Sequence, residues 1–219
     1  MKCFLWDLPL MPYKTVWQDQ LRLVRAKREG RLTQDVLILV EHQPVFTLGR
    51  HATKDHLLVS LDFIRQQGIE LYQIERGGDV TYHCPGQLVA YPILDLRGKG
   101  MGIKELVFAL EEAMISTALN FGVLANRDPQ NRGVWVGDKK IGSIGLALSR
   151  GITFHGLAFN IQACLRPFSW INPCGLSNIK MTSLAMESGK LPGTEDARER
   201  LKGHLARLLN FSFVPVDRL

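Results

Sequence analysis

The sequence predicts an α/β protein of the α+β type, a mixed β-sheet with helices packed on it. Three features carry that reading. Runs rich in valine, isoleucine and aromatic residues recur along the chain, bounded by Gly, Pro and Ser, as strands are. Most of them arrive as hairpins, which favours a mixed sheet over a strict parallel one. Between them lie long segments with apolar residues at helical spacing.

Taken in order, Lys2–Asp7 is a strand candidate. A helix follows from about Tyr13 to Arg28, with Tyr13, Trp17, Leu21 and Val24 as its apolar stripe. Asp35–Glu41 reads as a buried strand, and Pro44–Leu48 as another, ending at Gly49-Arg50-His51. Leu61–Gln67 is a weaker helix and Leu71–Glu75 a strand. Arg76 to Gln87 reads as a polar, glycine-rich loop before the apolar strand Leu88–Leu94. The clearest helix is Ile103–Phe121, with Ile103, Leu106, Val107, Leu110 and Met114 on one face. Two β-rich runs, Ile141–Leu148 and Ile152–Ile161, flank the break Ser149-Arg150-Gly151 and form a hairpin. Pro167 and Pro173 keep the stretch Arg166–Gly175 irregular. Met181–Met186 is a short helical piece. Thr194 would cap a last helix whose Ala197, Leu201, Leu205 and Leu208 share a face. The expected organisation is one catalytic domain over residues 1–219, with a small C-terminal helical subregion from about residue 180.

The bulk properties narrow the function. At 219 residues, 46% apolar and 22% charged, the chain has an ordinary globular composition. It has no apolar run long enough to span a bilayer, and MKCFLWDLPL lacks the apolar core of a secretory signal. The four cysteines, at 3, 84, 164 and 174, lack C-x-x-C spacing, which argues against a zinc cluster or disulfide framework and for a reducing cytoplasm. The formal charge is +6. Its basic residues gather at Arg22, Arg25, Lys27, Arg28 and Arg31, and again at Arg97, Lys99 and Lys104. Such clusters are ordinarily solvated surface. Read more sharply, they suit an acidic macromolecular partner. There is no nucleic-acid motif, so neither nucleic acid nor membrane is expected.

Several residues in and near the hairpin are not explained by packing. Lys140 stands at the start of a strand, glycines recur at 137, 142 and 145, and His155 interrupts the return strand. Cys174 sits in the turn Asn172-Pro173-Cys174-Gly175. A cysteine is most often a small buried hydrophobe, and a lysine at a strand start is usually solvated. Brought together, though, the amine would favour the thiolate and move protons, making an acyl-transfer site. His83 and His155 are rival bases, and the residues alone do not choose. In the loop after Arg76, glycines let a ligand approach backbone. No P-loop, dinucleotide fingerprint, G-x-S-x-G elbow or H-E-x-x-H helix is present.

Five blocks, EHQPVFTLGR (41–50), RGGDVTYHCPGQ (76–87), GDKKIGSIG (137–145), ITFHGLAFN (152–160) and NPCG (172–175), together resemble the lipoyl(octanoyl) transferase family. These are octanoyl-[acyl-carrier-protein]:protein N-octanoyltransferases. The resemblance runs in order over about Glu41–Ser177. It implies the catalytic fold shared by biotin protein ligases and lipoate–protein ligases. It implies Cys174 as nucleophile and Lys140 as its catalytic partner. It also implies an acyl pocket from Arg76, Gly77, Gly78, Asp79, Val80, Thr81, Tyr82 and His83, from Ser143, Ile144 and Gly145, and from Gly156, Leu157 and Ala158. The implied donor is octanoyl-acyl carrier protein. The implied acceptors are lipoyl domains of 2-oxoacid dehydrogenase E2 subunits and the glycine cleavage H protein, in lipoate biosynthesis, without a cofactor or metal. One departure is Cys84, where the family usually has glycine. It makes a second, lesser candidate nucleophile and fits only if the backbone there avoids positive φ. The alternatives are an ATP-dependent lipoate or biotin ligase, which needs no thiol, and a non-catalytic acyl- or carrier-binding module. On this reading Arg97 and Lys99 belong to a carrier-docking face, and a leucine at Gly156 would block the acyl slot while the fold survives.

Overall fold

In the computed structural model, which describes residues 1–97, 99–172 and 179–219, the elements alternate much as their patterning suggests. β1 (Lys2–Met11) leads into α1 (Tyr13–Arg28), then β2 (Asp35–His42) and β3 (Val45–Leu48). α2 (Leu61–Gln66) is capped by Ser60, whose Oγ accepts from the Phe63 N–H. β4 (Glu70–Gln73), β5 (Val80–His83) and β6 (Gln87–Ile93) precede the long α3 (Ile103–Asn120). β7 (Asn126–Arg127), β8 (Val134–Val136), β9 (Lys139–Ser149) and β10 (Ile152–Asn160) follow. The chain closes with β11 (Lys180–Met181), α4 (Leu184–Ser188), α5 (Thr194–Leu208) and β12 (Ser212–Pro215).

The main sheet runs β12-β1-β2-β6-β10-β9-β8-β7, with β11 added against β9. β1 pairs β2 and β12 in parallel and β11 pairs β9 in parallel, while β2–β6, β6–β10 and β10–β9 are antiparallel. The sheet is therefore mixed, as expected. β2 shows how it is buried on both faces. Val36, Ile38 and Val40 point to one side with Val16, Leu23 and Val24 of α1. Leu37 and Leu39 point to the other, with Leu106, Leu110 and Met114 of α3 and Leu201 and Leu205 of α5. This period-2 alternation under helices makes three layers. A small sheet, β4-β3-β5, stands beside them over its own core of Phe46, Tyr82, Cys84 and Phe168.

Some expectations are corrected. Val80–His83, read as loop, is a strand paired with β3. Leu21 of α1 is about a third exposed, and the buried face is instead Tyr13, Val16, Gln20, Leu23, Val24 and Lys27. Ile103 is exposed at the start of α3. Thr194 opens α5 rather than capping it, since the N-cap position is Gly193. Residues 181–186 divide between the end of β11 and the start of α4, whose cap is Ser183.

Candidate active site

Residues 76–79, β5, β9, β10 and the first turn of α3 enclose a cleft of about 600 Å³, the size of a small-molecule site. Its walls are mostly apolar, with Val80, Ile144, Leu146, Leu157, Phe168 and Ile171 among them. Of the residues expected to form the acyl pocket, 76–81 and 83, 143–145 and 156–158 all line this cleft, and so does Lys140. Tyr82 does not. Its ring packs instead into the small core, onto Phe46 and Phe168 at centroid distances of 5.1 and 5.5 Å. Cys174, with the rest of residues 173–178, lies outside the described residues. On either side of that segment, Ile171 and Ile179 both line the cleft.

The glycine-rich loop is fastened at both ends. The Gly77 N–H donates to the Leu146 carbonyl of β9 at 2.9 Å. Gly145, opposite, leaves room for Arg76, whose Cδ would lie 2.9 Å from an added Cβ. The Arg76 guanidinium is buried and donates to the Thr47 carbonyl and hydroxyl at 2.6 and 3.0 Å, tying the loop to β3. Asp79 holds the turn into β5 by accepting from the Val80 N–H at 2.6 Å, and pairs with His56. Gly156 is different in kind. A Cβ there would run into the Ala90 carbonyl oxygen and sit 2.7 Å from Pro92 Cδ, so this glycine serves the β6–β10 contact. The leucine expected to block the slot would instead strike the neighbouring strand.

One end of the cleft is polar and buried. Tyr13, His83, His155 and Tyr91 line it. The His83 ring stacks on Tyr13 at 5.8 Å, and His42 Nε2 lies 2.8 Å from the Tyr91 hydroxyl. Burial, then the charge of nearby His42, pushes His83 down to about 3. Its Nδ1–H donates to Gln87 Oε1 at 2.7 Å. Burial also lowers His155. His155 adopts φ 55 inside a strand, and its N–H donates to Gln20 Oε1 of α1 at 2.8 Å instead of to the ladder. Both rival bases are thus neutral at pH 7 but weakly basic.

Lys140 is set by its neighbours. Pairing slips between Val134↔Gly142 and Trp135↔Lys140, leaving Ile141 as an extra residue on β9, a bulge beside Lys140. Lys140 Nζ lies 5.2 Å from the Trp135 ring centroid. Its carbonyl accepts from the Thr182 N–H at 2.9 Å. Thr182 in turn is held through its carbonyl by Asn160 Nδ2 at 2.9 Å, and Asn160 Oδ1 accepts from Gln87 Nε2 at 2.9 Å. A buried ladder therefore joins His83 on β5, through Gln87, Asn160 and Thr182, to Lys140 on β9.

Cys84 belongs to a different place. It is buried in the small core, with its Sγ 3.9 Å from the Cys164 carbonyl, and burial pushes its thiol up to about 11. Its φ is not positive, so the cysteine takes the usual glycine's place without backbone strain. Several cleft residues were not anticipated from sequence: Tyr13, Tyr91, Lys104, Arg132 and Met181 among them. Only the exposed Ile103-Lys104 pair at a helix start offered a local signal.

The catalytic-domain model of lipoyl protein ligases A and B matches residues 12–206. An octanoyltransferase of Desulfotalea psychrophila is 46% identical over 218 residues, covering 99% of this chain and 97% of its own. One from Bacteroides fragilis is 42% identical, covering 95% and 99%. Among solved structures, a bipartite lipoate protein ligase of Thermoplasma acidophilum superposes with a TM-score of 0.75 at 18% identity, over 99% of this chain and 87% of that one. Biotin protein ligase from Aquifex aeolicus gives 0.53 at 14%, over 96% and 70%. At those identities the superpositions speak to the fold, which is the one the resemblance implied. The near-full-length relatives speak to the family: the chain belongs to the octanoyltransferases, acyltransferases built on the lipoyl protein ligase A/B catalytic domain.

Proposed function

We propose that this acyltransferase moves an octanoyl group from acyl carrier protein to a lysine of lipoyl domains, in lipoate biosynthesis, through a thioester on Cys174. The observation that carries the reading is the apolar, glycine-walled cleft with Lys140 in its wall and the flanks of the Cys174 segment at its edge. Lys140 takes the Cys174 proton, and the thiolate attacks the donor's thioester carbonyl. The carrier's thiolate leaves and recovers the proton from Lys140. The acceptor lysine's neutral amine then attacks the acyl-enzyme, an amide forms, Cys174 leaves as thiolate, and the amine's surplus proton returns through Lys140 to solvent. One thioester is exchanged for another before the amide forms, so no ATP enters. The weak basicity of His83 and His155 supports Lys140 as proton acceptor. Residues 76–83, 143–145 and 156–158 are assigned to the walls around the acyl chain, with Tyr82 as backing.

In the same reading residues 1–219 act as one catalytic unit whose C-terminal helices belong to its core. The unit works in the cytoplasm on E2 lipoyl domains and the glycine cleavage H protein. Among the described residues no helix is long and apolar enough to cross a membrane. The test is incubation with octanoyl-acyl carrier protein in the absence of ATP, followed by intact mass measurement. The expected product is a hydroxylamine-sensitive octanoyl adduct that a lipoyl domain discharges. Transfer that starts only when ATP and free octanoate are supplied would point to a ligase and sink the proposal.

A further inference from the structure

The apolar face of α3 carries one carboxylate that packing does not require. Glu111 is 7% exposed and lies among Leu106, Leu110 and Met114. A buried carboxylate is costly unless it is paired and hydrogen-bonded. Both oxygens are used. Oε2 accepts from Arg127 Nε at 3.1 Å, and Oε1 accepts from the Gly133 N–H at 3.0 Å. Gly133 stands at φ 114, a conformation L side chains rarely adopt, just before β8. It also lies directly under Lys140, since an added Cβ would sit 2.7 Å from Lys140 Cε and 3.3 Å from Nζ, besides striking the Gly142 carbonyl. The lysine's last carbons therefore rest on a glycine whose backbone is held by Glu111.

We propose that Glu111 is a positioning residue for the acyl-transfer reaction: with Arg127 behind it, it fixes the Gly133 turn across which the Lys140 side chain is aimed. Glu111 does not line the cleft, so it acts on the chemistry only through Gly133 and Lys140. The bulge at Ile141 sets where Lys140 leaves the strand, and the Gly133 shelf sets where its amine ends. This inference rests on the proposed role of Lys140.

The experiment compares Glu111→Gln, Glu111→Met, Gly133→Ala and Lys140→Ala in full transfer assays, each checked for folding by thermal unfolding. Glutamine keeps an acceptor oxygen for the Gly133 N–H, so its kcat should stay within roughly threefold of wild type. Methionine keeps the volume but loses the acceptor, and should lower kcat by roughly tenfold or more with KM for the carrier unchanged, as small misplacements of a reacting group do. Gly133→Ala reaches the lysine from the other side and should show the same split. A Glu111→Met or Gly133→Ala enzyme that folds and turns over like wild type, while Lys140→Ala is inactive, overturns the brace alone. A Glu111→Gln enzyme as slow as Lys140→Ala also overturns it, because the charge rather than the acceptor would then matter. Wild-type turnover by Lys140→Ala would instead remove the catalytic reading beneath it.

Discussion

Two thiols compete on paper for the acyl group, and the structure treats Cys84 as core. A thiol pushed up to about 11 is almost wholly protonated at pH 7 and is surrounded by side chains. Cys84→Gly should therefore leave octanoyl transfer near wild type, while costing about 1–2 kcal/mol of stability through the lost packing and the freer backbone. Cys174→Ser should abolish the hydroxylamine-sensitive adduct, read by intact mass. If the serine variant still forms it and Cys84→Gly does not, the assignment is reversed. Gly156, by contrast, is a poor place to probe the slot, because the strand carrying Ala90 occupies the space a side chain would need. Ser143 is partly exposed in the cleft wall of β9. Ser143→Leu should narrow the slot and cut kcat/KM for octanoyl relative to butanoyl donors by roughly tenfold, several methylenes being at stake. An unchanged chain-length profile would move the acyl chain elsewhere.

At the scale of elements, the buried histidines under α1 couple the fold to pH. His42 on β2 is held by burial down to about 4, and His83 on β5 to about 3. Both sit below the value of 6.5 an unfolded histidine has. Between these limits the unfolded chain binds more protons than the folded one. Stability is therefore full above about pH 6.5 and falls as the pH drops toward 4, with up to roughly 1.4 kcal/mol per pH unit from each ring. Denaturant midpoints at pH 7.5, 6 and 5 should decline in that order, and His42→Gln should flatten the decline. These histidines also bear on what could be read from sequence. The long α3, the β9–β10 hairpin and the glycine loop were legible because each declares itself over many residues. The buried stripe of α1 was not: Gln20, a polar residue, occupies a core position because its amide holds the His155 N–H, so an apolar count misses the period. β7 and β8 are two and three residues long, too short to show a period, and the four-residue β12 exists through pairing with β1 at the other end of the chain. Glu111 is no more legible in the sequence. Its backbone partner Gly133 lies 22 residues on.

Over the whole molecule, the excess positive charge is not equally available to a partner. Arg97 forks onto Asp95, and Lys99 reaches the buried Asp35 at 2.6 Å, opposite Lys27. Both residues of the expected docking face are thus committed to carboxylates of their own chain. Reversing Lys99 would set a second carboxylate beside Asp35, costing a few kcal/mol and testing folding rather than docking. Lys104 and Arg132 are exposed and line the mouth of the cleft. Neither makes an ion pair with any described residue. If the donor is the proposed acyl carrier protein and it presents an acidic surface at that mouth, the exposed cations raise its local concentration. Attraction of this kind fades as salt shortens the Debye length, from about 10 Å at 0.1 M to a few ångströms at 1 M. KM for acyl carrier protein should therefore climb by roughly threefold or more across that range, with kcat nearly constant. Lys104→Glu and Arg132→Glu should each raise KM at low salt and blunt its salt dependence, and Arg97→Glu should do so far less. Steady-state kinetics on the three variants at three ionic strengths decide it. An equal response from all three would spread the attraction over the net charge of +6 and leave the cleft mouth with no special part in docking.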